Sequence, residues 1–104
     1  YWAYRTALQE YAEKHPDQPV SPGMASIIEG LTDEQFFFLA YGQEWCYAST
    51  SSHLRSYVNT NDHAPPYARC NVPLRQFPAF AEAFNCPVQS PMRPPREQTC
   101  DIWW

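Results

Sequence analysis

Residues 32–46, Thr32-Asp33-Glu34-Gln35-Phe36-Phe37-Phe38-Leu39-Ala40-Tyr41-Gly42-Gln43-Glu44-Trp45-Cys46, open on a helix start signal and run on without a continuous polar face. Thr32 and Gln35 have the spacing of a capping box. The threonine oxygen accepts from the backbone of the first turn, and the glutamine reaches back to the threonine N–H. The spacing predicts a helix over about 33–47. Its apolar residues fall on nearly every side, so it should be buried on most of them.

On the N-terminal side, Tyr1, Tyr4, Leu8 and Tyr11 recur at helical spacing with Ala7 and Ala12 beside them, which predicts a helix over residues 1–14. Lys14 and His15 suit its last turn and Pro16 stops it. Residues 16–31, with Pro16, Pro19, Pro22 and Gly23, read as a loop. On the C-terminal side, Ser51 or Ser52 is a candidate cap for a short helix through Val58, and residues 59–75 read as irregular. Phe77, Phe80, Ala81 and Phe84 define one more short helix, with Pro78 in its first turn. The stretch from Cys86 to Trp104 is proline-rich and has no period.

The chain has 104 residues, four Trp, seven Tyr and six Phe, with eleven prolines and only three glycines. So many rings need a large surface to pack against, and a chain of this size buries only about two-thirds of its surface alone. Part of the core is therefore expected in polypeptide outside these residues. Net charge is −4 and no run of Lys or Arg makes a basic stripe, which argues against a nucleic-acid partner. The longest apolar run, Phe36 to Tyr41, is far too short for a membrane span. The chain starts at Tyr1 rather than Met, and the natural N-terminus is expected further upstream, where a leader or anchor would lie.

Four cysteines in a short chain suggest an oxidising compartment, with a reduced cytosolic chain still open. Cys46, Cys70, Cys86 and Cys100 are compatible with two internal disulfides or with partners outside the chain. They and His15, His53 and His63 form no close pair of the kind a turn presents to one zinc ion, so no metal ligand is assigned here. Neither a Gly-rich phosphate loop nor a G-x-S-x-G elbow is present. His63 stands in Asp62-His63-Ala64-Pro65-Pro66-Tyr67-Ala68-Arg69, where two prolines stiffen the backbone just beyond it. Arg69 reaches the same side if a turn intervenes. Such a pair can donate to a substrate carbonyl and to a developing oxyanion. The plainer alternative is a surface histidine and an arginine capping a helix end.

Taken in order, these segments resemble the neprilysin and endothelin-converting-enzyme family of zinc peptidases. Phe37-Phe38 through Gln43-Glu44-Trp45-Cys46 resembles the family's FF-x-x-[FY]-[AG]-Q-x-W-C helix, and Leu54-Arg55-Ser56 its next helix. Thr60-Asn61-Asp62-His63-Ala64-Pro65, followed by Arg69, resembles T-x-x-H-[SA]-P-x-x-x-R. Phe80-Ala81-Glu82-Ala83-Phe84-Asn85-Cys86, Ser90-Pro91-Met92-Arg93-Pro94 and Cys100-Asp101-Ile102-Trp103 are similar to the family's closing motifs. Tyr1 to Tyr11 is similar to the helix after the third zinc ligand.

The resemblance implies a mainly α fold: residues 1–104 as the helical C-terminal portion of a zincin-type, thermolysin-like catalytic domain, with long Pro-rich loops and little or no strand. It implies a metalloendopeptidase acting on small peptides, secreted or the ectodomain of an anchored protein. The zinc would be bound by H-E-x-x-H and E-N-x-x-D motifs that do not occur in this chain, which by itself should be inactive. His63 would be the catalytic oxyanion donor, Arg69 would bind a substrate backbone carbonyl, and Trp45 would line the S1′ pocket. Glu44 departs from the apolar residue of neprilysin, which argues against assuming a preference for large apolar side chains. Cys46, Cys86 and Cys100 would bond to upstream partners, leaving Cys70, where the family has an aliphatic residue, as an extra thiol. Ala68 replaces an aromatic, and Phe77 replaces a Ser cap at a cost of about 1 kcal/mol. The partners implied are peptide substrates and the rest of the same catalytic domain, with a membrane reached only through an N-terminal anchor. The other readings are a small disulfide-stabilised secreted binding module and an inactive homologue serving as a peptide receptor.

Overall fold

The computed structural model describes residues 1–18, 28 and 30–100, and among these every regular element is helical. The elements are α1 (Trp2–Lys14), α2 (Asp33–Glu44), α3 (Ser51–Thr60), α4 (Pro66–Arg75), α5 (Pro78–Ala83) and a 3₁₀ turn at Arg96–Gln98. The expected mainly α class with little strand is what is seen. Much of the 16–31 loop, residues 19–27 and 29, lies outside the described residues, as does the end of the Cys100-Asp101-Ile102-Trp103 motif. None of the described helices is long and apolar enough to cross a membrane. The chain divides into two units, Tyr1–Phe37 and the part from Phe38 onward, with the boundary inside α2.

In the first unit, the capping box forms as the sequence predicts. Thr32 N–H donates to Gln35 Oε1 at 3.0 Å, and Gln35 N–H donates to Thr32 Oγ1 at 3.1 Å. Tyr1 and Tyr4 of the N-terminal segment lay their rings on Phe37, with centroids 5.5 and 5.2 Å away. The Tyr1 hydroxyl donates to Glu34 at 3.2 Å, and that of Tyr4 to the Asp33 carbonyl at 3.4 Å. Burial raises both phenols above their ordinary value, and the nearby carboxylates of Glu34 and Asp33 push the same way. Both therefore keep their protons, as these bonds require. Arg5 adds an ion pair to Glu34 at 3.4 Å, exposed and so worth little.

The second unit is organised on Phe38, which is 3% exposed. Phe77, Phe80 and Phe84 surround its ring at centroid distances of 6.0, 5.4 and 6.4 Å, edge-on or tilted as ring quadrupoles prefer. Among the described residues, Leu74 and Ala81 are the other buried apolar side chains. Phe77 stands at the N-cap of α5 and makes no side-chain cap bond. Its ring packs on Phe38 instead, so the residue exchanges a hydrogen bond for apolar burial. The C-terminus of α5 is closed by a Schellman motif. Cys86 N–H reaches the Ala81 carbonyl at 2.8 Å and Asn85 N–H that of Glu82 at 3.1 Å. Asn85 takes φ 50°, a left-handed position where asparagine costs less than most residues.

Four expectations need correction. α2 ends at Glu44 rather than 47, because Trp45 and Cys46 N–H bond to Gly42 and Gln43 carbonyls three residues back and tighten the last turn. It also buries only Phe38, with Leu39 39% exposed, so most of its sides are not covered by the described residues. The cap of α3 is Thr50, whose Oγ1 accepts from His53 N–H at 3.2 Å, not Ser51 or Ser52, and the helix runs on to Thr60. Residues 66–75 are helical, not irregular. The missed signal was Pro66, whose fixed φ and absent N–H suit a first helical position, with Pro65 carbonyl accepting from Ala68 and Arg69.

Truncating Phe38→Ala should cost about 3–5 kcal/mol, most of what holds a small unit together. Thr32→Ala should cost about 1 kcal/mol through loss of the cap. Urea unfolding followed by circular dichroism measures both. Equal midpoint shifts for the two variants would contradict this placing of the core.

Candidate functional site

Arg69 lies in the N-terminal half of α4, and the structure brings it to Trp45, just past the end of α2. The guanidinium carbon sits 4.2 Å from the centroid of the indole ring, a cation–π distance. Trp45 is itself braced by Tyr41, one helical turn earlier, at 6.2 Å and edge-on. The same Tyr41 donates its hydroxyl proton to the backbone carbonyl of Arg69 at 2.9 Å.

That carbonyl is available for a local reason. In an uninterrupted helix it would accept from the N–H of residue 73. Position 73 is a proline inside α4, with no N–H to give. An orphaned carbonyl in a partly buried place needs a donor, and Tyr41 supplies it. Tyr41 was not assigned a role from the sequence. The signal that could have found it is its spacing of four from Trp45 on one helix face, together with a mid-helix proline four residues after Arg69.

Stacking leaves the guanidinium edge usable. A planar guanidinium lying on an aromatic face keeps its N–H donors around the rim. Among the described residues, no hydrogen bond or ion pair engages the side chain of Arg69. The indole Nε1 of Trp45 is buried and has no hydrogen-bond partner among them either.

His63 occupies the α3–α4 connection. Its backbone N–H donates to Asn61 Oδ1 at 2.8 Å, and Asn61 caps α3 while Pro65 caps α4. The segment is thus clamped at both ends, and the histidine is exposed. What separates it from Arg69 is the start of a helix, not a turn. Among the described residues, His63 makes no hydrogen bond or ion pair to Arg69 or Trp45. The structure joins Arg69 with Trp45 and leaves His63 apart from that contact.

Cys46, Cys70, Cys86 and Cys100 are all free thiols, so none of the three possible internal pairings is present. Among the described residues, no three His, Cys, Asp or Glu side chains come together as a metal site. The resemblance puts the zinc ligands in motifs outside this chain. A groove of about 310 Å³ lies away from Arg69, between the end of α4, α5 and the proline-rich tail, with Arg75, Glu82 and Met92 among its walls.

A model of Peptidase family M13 matches residues 1–100. The chain is 41% identical to Neprilysin-1 of Caenorhabditis elegans over 97 residues, covering 93% of this chain and 12% of that protein. It is 40% identical to Neprilysin-21 of the same organism over 86 residues, 83% of this chain and 10% of that one. Endothelin-converting enzyme-like 1 of Homo sapiens is 33% identical over 103 residues, 99% of this chain and 12% of its own length. The chain therefore spans roughly an eighth of the relatives it matches. No solved structure gives a significant match.

The Tyr41 bond yields a test by double-mutant cycle. Tyr41→Phe should destabilise the chain by about 0.5–1.5 kcal/mol. In a Pro73→Ala background, residue 73 regains its N–H and can satisfy Arg69 from within the helix, so the cost of Tyr41→Phe should fall toward zero. Urea midpoints of the four proteins give the coupling. An unchanged cost in both backgrounds would show that this carbonyl is not the link.

Proposed function

Because the chain belongs to peptidase family M13, we propose that it is the C-terminal portion of a zinc metalloendopeptidase catalytic domain that hydrolyses bonds in small peptides. The zinc would be held by side chains outside this chain. What these residues contribute is recognition of the peptide and stabilisation of charge. The observation that carries the reading is Arg69, held 4.2 Å over Trp45, with its backbone pinned by Tyr41.

In this reading, the rim of the Arg69 guanidinium donates to a backbone carbonyl of the substrate and sets its register. Because stacking and the Tyr41 bond fix the arginine beforehand, little side-chain entropy remains to be lost on binding. Trp45 offers the edge of its ring to the side chain that follows the scissile bond. Glu44, exposed beside it, makes that S1′ wall less apolar and favours side chains that tolerate a carboxylate. His63 donates an N–H to the oxygen that gains charge in the tetrahedral transition state. A donor aimed at charge absent from the ground state accelerates the reaction without tightening substrate binding. The clamped loop between Asn61 and Pro65 supports such a role, since a mobile donor would lose its advantage. Cys46, Cys86 and Cys100 would bond to cysteines elsewhere in the same domain. The domain would face the extracellular side, secreted or anchored.

The second reading, a peptide receptor without catalysis, would use Arg69 and Trp45 and leave His63 idle. A small module stapled by its own disulfides finds no support in four unbonded thiols.

In the complete peptidase, His63→Gln should lower kcat about 10²–10³-fold with KM nearly unchanged. Arg69→Met should instead act mainly on KM. Steady-state kinetics on a quenched fluorescent peptide separates the two, and a His63→Gln enzyme with full kcat would remove the histidine from the mechanism. The 104-residue chain alone should give no chelator-sensitive cleavage, with or without added zinc.

A further inference from the structure

We propose that the groove between the end of α4, α5 and the proline-rich tail is a binding site for acidic peptides, segments that carry carboxylates beside apolar side chains. Its charge runs against that of the chain as a whole. The chain has seven Lys and Arg against eleven Asp and Glu. Three of those seven cations, Arg75, Arg93 and Arg96, stand on this one groove, and Glu82 is the one carboxylate among its described walls. A cleft lined mainly by one sign of charge concentrates ligands of the other. The volume, about 310 Å³, is at the small end of the range for ligand clefts and suits a few side chains rather than a whole domain.

The individual side chains fit that ligand. Arg93 is half-buried, and its Nη1 donates to the Cys86 carbonyl at 3.1 Å. That bond fixes the guanidinium and uses one of its five N–H donors. Arg75 stands exposed in the last turn of α4. Among the described residues, neither arginine has an ion pair to a carboxylate. A guanidinium partly withdrawn from water gains from a carboxylate, which accepts two parallel hydrogen bonds from its fork. Phe77, Met92 and Pro94 supply apolar wall, and Val88 is left 71% exposed there. A bare inorganic anion would leave that wall wet, whereas a peptide side chain covers it. The tail is held in place before a ligand arrives, since Cys100 N–H donates to Gln76 Oε1 at 2.8 Å and Arg93 N–H to the Ser90 carbonyl at 2.9 Å. A groove held in this way loses little freedom on binding. It uses neither Arg69 nor His63, so its failure would leave the peptidase reading untouched.

The probe is a fluorescent hexapeptide of alternating Glu and Leu, N-methylated along its backbone to resist hydrolysis, and its anisotropy is titrated with the complete peptidase. Binding should weaken as salt is added. Replacing every Glu by Gln in the peptide should weaken it about tenfold or more, as should Arg93→Met in the enzyme. Arg75→Gln should weaken it severalfold. Glu82→Gln removes the repelling carboxylate and should tighten it severalfold. Residues 75 and 82 are exposed, so both variants fold if the parent does, and the opposite signs of their effects separate groove binding from general loss. Equal affinity for the Glu and Gln peptides would overturn the proposal, as would unchanged binding in both Arg75→Gln and Glu82→Gln. A peptide with Gly for Leu that binds equally well would reduce the groove to a plain anion site and overturn the peptide assignment. No binding at all would mean that the enzyme's own polypeptide fills the groove, which also overturns it.

Discussion

A proline in the middle of a helix leaves a carbonyl four residues earlier without its donor, and in this chain that carbonyl belongs to Arg69. The Tyr41 hydroxyl takes the place of the missing N–H at 2.9 Å. A defect in one helix becomes a tie to another, because a partly buried carbonyl left unpaired costs more than the bond itself gains. Once Tyr41 and Arg69 are fixed to each other, Trp45, four residues on and just past the end of α2, comes under the guanidinium. The stack is therefore a consequence of backbone accounting in α4 as much as of attraction between cation and ring.

The apolar part of the second unit works beside this tie. Phe38 fills a pocket of three phenylalanine rings, one on α5 and one at each of its caps. Phe77 gives up helix capping to join that pocket, and the Schellman closure at Asn85 and Cys86 ends α5 so that Phe84 can turn back onto it. Among the described residues the buried set is small: Phe38, Leu74 and Ala81. Apolar side chains such as Leu39, Val58 and Tyr67 stay exposed. Aromatic geometry and a few specific hydrogen bonds therefore carry a larger share of the specificity than in a deep core.

This division has a functional side. An arginine stacked on an indole presents its donors at the rim in a set plane, which suits recognition of a flat, polar peptide group. A histidine in a short connection clamped by a helix cap at each end is a different kind of element, exposed and positioned by its backbone rather than by side-chain partners. Membership of peptidase family M13 gives both a place in one proposed chemistry. They reach it by separate routes: Arg69 through tertiary contacts, His63 through local chain stiffness.

Much was legible from residue order alone because its physics is local. The capping box at Thr32 and Gln35, the stop after Lys14, and the helix begun by Pro78 each depend on residues within one turn of each other. The order of motifs sufficed to identify the family. The helix at Pro66–Arg75 was missed because Pro65, Pro66 and Pro73 read as breakers, when two of them sit at its start and the third is tolerated through a donor 32 residues earlier in the chain. The free state of the four thiols, the meeting of Arg69 with Trp45, and the approach of Cys70 to Gly42 belong to tertiary structure. Each depends on how α2 and α4 come together. No local spacing encodes that register, because it is set by where a displaced carbonyl finds its nearest hydroxyl.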